Sequence, residues 1–339
     1  MRAVRLSAPN VMALAEVPKP CPGPGEVLLR VEACGLCGSD RHMLRGEFPT
    51  ALPVTLGHEF AGMIEAVGDG VSRVTAGMRV TGDPNISCGT CAQCRRGRPN
   101  LCEKLTAIGV FRDGGFAEYL VMPEGQAYPL PPDVPAPHGV FCEPIGCCLH
   151  AVDVARIAEG DSVVILGGGV IGMLMVQLVR RAGAGRVILS TRQAPRRALA
   201  ERLGAETVDA SADPISAITG PGGLLPGGAD VVIECAGVAE TFAQAPQIAR
   251  RGGTVVVFGV MPQGEAVPIM PCDLLVKELR IESAWLNPFT HGRAAQLVAE
   301  QALDLDALIT RTIGLDEVAA TLAAPPVYGE VKIIAASTP

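Results

Sequence analysis

At 339 residues the chain is longer than one hydrophobic core ordinarily organises, which implies two domains. Its 28 Lys plus Arg against 35 Asp plus Glu give a net charge of −7, which argues against a concentrated basic face and hence against nucleic-acid binding or adhesion to an acidic membrane. Apolar residues at 48% against 19% charged exclude a disordered chain, and 40 Gly with 28 Pro in no three-residue period describe a loop-rich globular protein.

Met1 to Glu16 alternates charged and apolar residues as a strand does, with no continuous apolar run of the signal-peptide kind. Short β-rich runs follow at Val27 to Ala33, Gly62 to Val67 and Phe116 to Val121, separated by turn-formers such as Pro22-Gly-Pro-Gly25 and Gly68-Asp-Gly70. This pattern predicts an irregular antiparallel barrel over residues 1–150. The middle stretch, 151–284, changes character. Ser162 to Leu166, Arg186 to Ser190, Asp230 to Glu234 and Thr254 to Phe258 are continuous apolar runs of the kind buried on both faces. Helix-length segments between them, Ala194 to Leu203 and Ala239 to Ala249, predict a doubly wound parallel sheet. Residues 285–339 are too few for a domain and are expected to rejoin the first one, ending in a strand at Glu330 to Ile334. Val163 to Val179 is long and apolar, but Gly167, Gly168, Gly169 and Gly172 break it into strand, turn and helix, so no membrane association is expected. Twelve cysteines without a leader segment suit a reduced, cytoplasmic setting in which thiols are available to metals.

Three constellations carry chemistry. Cys88, Cys91, Cys94 and Cys102 stand on one polar loop at spacings suited to a tetrahedral ion. An iron–sulfur run would place its fourth cysteine three residues on, before a proline; here the gap is seven and Glu103 follows, so a closed zinc site is expected. Cys37, within Cys34-Gly-Leu-Cys37-Gly-Ser-Asp40-Arg-His42, and the pair His58-Glu59 form a mixed sulfur, nitrogen and oxygen set. Such a set suits a catalytic zinc with one exchangeable position. Glu143 is a second candidate carboxylate, which spacing alone does not connect to the others.

The third constellation is the strand Ser162 to Leu166 running into Gly167-x-Gly169-x-x-Gly172, with Val170 and Ile171 inside the turn and a helix beyond. This context makes a dinucleotide fingerprint, in which glycines admit the pyrophosphate and the helix N-terminus faces its charge. An acidic residue at the end of the next strand would bind the adenosine 2′-hydroxyl. The chain instead has Ser190-Thr191-Arg192, with Arg196 and Arg197 just after, which removes repulsion toward a 2′-phosphate and supplies cations to pair with it. NADP(H) is therefore favoured over NAD(H).

With these motifs in this order, the chain resembles the zinc-containing medium-chain alcohol dehydrogenases, in particular their sorbitol (polyol) and threonine dehydrogenase branch. The resemblance runs over essentially the whole length and includes Glu143-Pro144 and the Cys235-Ala-Gly237 turn. It implies a GroES-like irregular β-barrel catalytic domain (1–150 plus 285–339) with an inserted Rossmann domain (151–284), and two zinc ions per chain. It also implies that Cys37, His58 and either Glu59 or Glu143 serve the catalytic ion, that Cys88, Cys91, Cys94 and Cys102 hold the structural one, and that Ser39 and then His42 relay the substrate proton. Gly167, Gly169, Val170, Ile171, Gly172, Thr191, Arg192 and Arg196 would bind the cofactor. The implied substrate is a small secondary alcohol or its ketone, a polyol before a threonine-type or simple alcohol, and the implied assembly is a homo-oligomer, dimer or tetramer. A zinc-free quinone or enoyl reductase would leave Cys37, His58 and Glu59 without a purpose, and a non-catalytic NADPH-binding protein would have no need of a proton relay.

Overall fold

The computed structural model describes residues 1–261 and 264–337. By its internal contacts the chain divides into one unit of Met1–Gly146 with Asn287–Pro339 and a second of Cys147–Leu286. The first division falls inside the helix Cys142–Ala155, where composition gives no sign of a boundary.

In the first unit the long strand Glu26–Gly35 is central. On one side it pairs antiparallel with Glu59–Val67 along its length. Its other edge is shared between Tyr119–Pro123, opposite the first half, and Lys332–Ala336, opposite Ala33 to Gly35. Arg79–Gly82, Ala127–Pro129 and Ile309–Gly314 complete this sheet, and Ile309–Gly314 runs parallel to Lys332–Ala336. The C-terminal strand is thus part of the barrel-like sheet. Strand alternation turns Leu29, Phe60 and Leu120 into one apolar core, which Phe116 joins from the segment before Tyr119–Pro123, each 2% exposed or less. The opening segment, which reads as a single strand, is a hairpin of Arg2–Ala8 and Val11–Glu16, because Asn10 takes the left-handed conformation at φ 61° that Asn tolerates.

The chain re-enters this unit through a buried polar cluster. Asn287 Nδ2 donates to Asp83 Oδ1 at 3.2 Å, Asn85 Nδ2 donates to Asn287 Oδ1 at 2.7 Å, and Thr290 Oγ1 donates to the Gly146 carbonyl at 2.7 Å. Burial pushes the Asp83 carboxyl up to about 6 despite these bonds.

The second unit is a parallel six-stranded sheet among the described residues. Its order is Glu206–Asp209, Arg186–Thr191, Ser162–Leu166, Ala229–Glu234, Ala249–Val257, Arg280–Ser283. Every residue of Ser162–Leu166 is buried, which is why the strand reads as an unbroken apolar run. The order reverses between Ser162–Leu166 and Ala229–Glu234, the switch point at which ligands of open α/β sheets bind. Among the described residues no helix is long and apolar enough to cross a membrane.

Candidate metal and cofactor sites

The four-cysteine lobe is built from short turns, with the one-turn helix Ala92–Arg95 between the second and fourth thiols. One sulfur from each of Cys88, Cys91, Cys94 and Cys102 lies within 4.8 Å of the other three. Cys91 Sγ and Cys102 Sγ are 3.9 Å apart, against ~3.8 Å for sulfurs 2.3 Å from a tetrahedral zinc ion. Backbone N–H groups of Cys88 and Lys104 donate to Cys102 Sγ and that of Cys91 to Cys88 Sγ, each at 3.3 Å. The donor set and its spacing fit zinc.

The second group is drawn from two places in the first unit. Cys37 stands at the N-terminus of the helix Gly38–Arg45, where Asp40 Oδ2 accepts from its backbone N–H at 2.8 Å. His58 and Glu59 stand at the start of Glu59–Val67, opposite Gly35 in the sheet register. Cys37, His58 and Glu59 each offer a ligand atom within 4.8 Å of the others. Asp40 and Glu59 are 1% exposed or less, so water does not screen them. His58 Nδ1 lies 3.4 Å from Asp40 Oδ1, and both atoms are buried with no hydrogen-bond partner. An imidazole turned by one nitrogen toward a carboxylate, with a thiol and a second carboxylate close by, is the donor chemistry of a zinc ligand.

Ser39 Oγ lies 3.4 Å from the other ring nitrogen, His58 Nε2. His42 is three residues further along the same helix face, and its Nδ1 meets Glu47 Oε2 at 2.7 Å on the outside of the unit. Glu143 is buried at 8% exposure in the first turn of Cys142–Ala155, but the structure does not bring it into the group of Cys37, His58 and Glu59. Its neighbour Cys142 is fully buried and its thiol is pushed up to about 12 by that burial, so it stays protonated and is a core residue. Lys332 is fully buried. Burial alone would lower its ammonium, but the charges of Glu59, Cys37 and Glu143 reverse this and raise it.

The turn Gly167 to Gly172 leads into the helix Val170–Arg181, whose N-cap Gly169 supplies no side-chain bond to the free N–H groups. A side chain at Gly172 would overlap the Gly167 carbonyl, so only glycine closes this turn, while at Gly169 a β-carbon would meet open space. Val170 and Ile171 are half-buried beside it. Thr191 is buried at the end of its strand and Arg192 is exposed next to it. Arg197 is occupied: it donates to the Thr191 and Arg192 carbonyls at 2.9 and 3.1 Å and pairs with Asp209 at 2.9 Å. Arg196 is half-buried in the same helix turn.

The family model of the alcohol dehydrogenase GroES-like domain matches residues 23–132, and that of the zinc-binding dehydrogenases matches 170–302. The chain belongs to the zinc-containing medium-chain alcohol dehydrogenases. This dehydrogenase is 31% identical to L-threonine 3-dehydrogenase of Rhizobium rhizogenes, covering 94% of this chain and 93% of that one. It is 30% identical to D-arabinitol dehydrogenase 1 of Uromyces fabae, covering 94% and 91%. A zinc-binding-type dehydrogenase from Sinorhizobium meliloti 1021, solved bound to NADP, superposes with a TM-score of 0.98 at 55% identity over 99% of both chains.

Two residues that sequence reasoning gave no role stand out in the dehydrogenase. Asp40 faces His58 at 3.4 Å; its signal was a carboxylate three residues after Cys37. Glu234, fully buried at the switch point, accepts at Oε1 from the backbone of Ala236 and Gly237 and from Thr241 Oγ1 at 2.7 to 2.9 Å, while its Oε2 is buried with no partner. Its signal was a charge ending an apolar run. Replacing Asp40→Asn is expected to lower zinc affinity about 10- to 100-fold with little change in circular dichroism, as read by chelator competition; unchanged affinity would deny Asp40 its orienting role.

Proposed function

We propose that this dehydrogenase interconverts a secondary alcohol, of the polyol class, and its ketone by hydride transfer with NADP(H), using one zinc at Cys37 and His58 and a second at Cys88, Cys91, Cys94 and Cys102. The observation that carries the reading is the convergence of a thiol, an imidazole and a carboxylate in the same chain as an uncapped glycine turn. When bound, zinc supplies Lewis-acid acidification of an alcohol, and the dinucleotide supplies the hydride acceptor.

The chain's own residues do the rest. Asp40 fixes the His58 ring by Nδ1 and leaves Nε2 for the ion. Ser39 Oγ, beside that nitrogen, takes the proton of the substrate hydroxyl and passes it toward His42, whose ring reaches the part-exposed side of the helix next to Glu47. Glu59 or Glu143 completes the donor set. The turn Gly167 to Gly172 and the free N–H groups of Val170–Arg181 hold the pyrophosphate, and Arg192 stands where a 2′-phosphate would need a cation. The arabinitol dehydrogenase among the relatives supports a polyol. The threonine dehydrogenase supports the alternative, whose substrate also carries a secondary hydroxyl. The NADP-bound Sinorhizobium meliloti structure supports the cofactor preference.

Cys37→Ser or His58→Ala is expected to lower kcat by more than about 10³-fold with polyols while NADPH affinity stays within about twofold, and to take zinc content from two ions per chain to one. Retained turnover at one zinc per chain would refute the assignment. The double change Thr191→Asp and Arg192→Gln should move the NADP-over-NAD ratio of kcat/KM down by about 10- to 100-fold, since it removes a charge-assisted bond and adds repulsion. An unmoved ratio would remove Arg192 from cofactor choice.

We also place the homo-oligomer at the open edge of the parallel sheet. Arg280–Ser283 pairs on one side only among the described residues, and the helix Pro271–Lys277 beside it buries none of its residues, with Leu275 77% and Val276 54% exposed. Light scattering should give at least a dimer, and Leu275→Glu with Val276→Lys should shift it toward monomer; a monomeric wild type would refute this.

A further inference from the structure

We propose that Glu47 is a positioning residue of the proton relay: its carboxylate holds the His42 ring by Nδ1–H and leaves Nε2 to take the proton coming from Ser39. Glu47 is then the counter-charge of the imidazolium that forms. This rests on the reading that Ser39 and His42 relay the substrate proton.

The contact is built into the end of a helix. Gly38–Arg45 stops at Gly46, which takes the left-handed conformation at φ 74°. The Gly46 N–H donates to the Met43 carbonyl at 3.0 Å, and the Glu47 N–H turns back to the His42 carbonyl at 2.9 Å. This paired closure sets the residue after the glycine against the last full turn, where an apolar contact is usual. In this chain the two residues are an acid and an imidazole, and Glu47 Oε2 meets His42 Nδ1 at 2.7 Å. Only glycine suits position 46, since a side chain there would be strained and its β-carbon would press on Pro9 at 3.2 Å.

A second group fixes the carboxylate. Arg45 donates through Nε to Glu47 Oε1 at 2.7 Å and through Nη2 to Oε2 at 2.9 Å. The bonds from Arg45, and then that from His42, hold the Glu47 carboxyl down at about 2. It is therefore ionised near neutral pH and can only accept, so the hydrogen of the contact sits on Nδ1 and the lone pair on Nε2. Arg45 Nη2 is also 3.3 Å from Nδ1, where it acts as a charge that Glu47 offsets. The other charged groups of this helix turn elsewhere. Arg41 donates to the Leu322 and Ala324 carbonyls beside the Arg311–Glu330 pair, and Asp40 serves the Cys37 N–H and faces His58.

Exposed ion pairs add little to stability, and Glu47 and His42 are 45% and 34% exposed in their side chains. For a moving proton the arrangement matters more. A histidine held at Nδ1–H by a carboxylate keeps Nε2 free as a base and is stabilised once charged. As the substrate hydroxyl gives its proton to Ser39 Oγ, the proton already on Oγ goes on to Nε2. The imidazolium lies beside Glu47 and returns one proton to water on the part-exposed side of the helix. Glu47 itself is never protonated.

The test mixes the intact zinc-loaded enzyme and NADP⁺ with D-arabinitol in a stopped flow and follows proton release with an indicator dye. Glu47→Ala is expected to slow proton release at least about tenfold while Tm and NADPH affinity stay nearly unchanged. His42→Ala should slow it as much or more. Adding Glu47→Ala to His42→Ala should slow it no further, because Glu47 acts only through His42. A second readout needs no turnover and decides alone where D-arabinitol is not oxidised. Among the five histidines of nitrogen-15-labelled protein above neutral pH, the ring missing from the His42→Ala spectrum should carry its proton on Nδ1. In Glu47→Ala that proton should move to Nε2, the form that free histidine prefers. Unslowed proton release in Glu47→Ala beside a slowed His42→Ala would overturn the proposal. Equal slowing by Glu47→Ala in both backgrounds, or an Nε2–H ring in the wild type, would overturn it too. Proton release untouched in His42→Ala would instead overthrow the relay on which the proposal stands.

Discussion

Charge buried at the meeting of two strand ends is the constraint on which the first unit depends. Asp40, His58, Glu59, Glu143 and Lys332 are all 8% exposed or less. In an apolar interior each unpaired charge costs several kcal/mol, so these groups are tolerable only where they compensate one another or hold a cation. The sheet register provides that meeting: Gly35 lies opposite Glu59, and Lys332–Ala336 runs beside the same end of Glu26–Gly35. Cys37 follows at once on the helix that begins there. Structure and chemistry are thus set by the same pairing, and a slip of one residue would turn Glu59 to the opposite face.

The second unit meets a different constraint, that of close approach. A phosphate can be held by backbone N–H groups only where no side chain or capping group has taken their place. The turn at Gly167 to Gly172 satisfies this by chain geometry, and the buried Glu234 ties down the neighbouring turn through two backbone N–H groups and Thr241. Arg197 shows how a cation can be present without being available. It is spent on two carbonyls and Asp209, which leaves Arg192 as the exposed arginine at the end of Arg186–Thr191.

Much of the architecture was legible because it is written in local periodicity. The apolar runs at Ser162 to Leu166 and Asp230 to Glu234 read as strands buried on both faces, and they are central in the sheet. The strand-like alternation of Met1 to Glu16 was legible as well, but the turn inside it was not, since nothing in alternation marks where a left-handed Asn reverses the chain. Spacing joined Glu59 to His58 but connected Glu143 to none of the other donors. The structure sets Glu59 beside Cys37 and His58 and leaves Glu143 outside that group, a distinction that depends on which strands pair.

The sequence by itself determined the features confined to a few successive residues: the four-cysteine lobe, the glycine turn after a buried strand, and the missing acid at Thr191. Short loops and allowed backbone angles bring such residues together almost regardless of the rest of the fold. Only the tertiary structure decided that Asp40 would face His58, that Arg197 would be consumed by Asp209, and that Lys332 would reach Glu59 across 273 residues. Those meetings are fixed by strand register and by the need to compensate buried charge, neither of which leaves a mark on nearest neighbours in the chain.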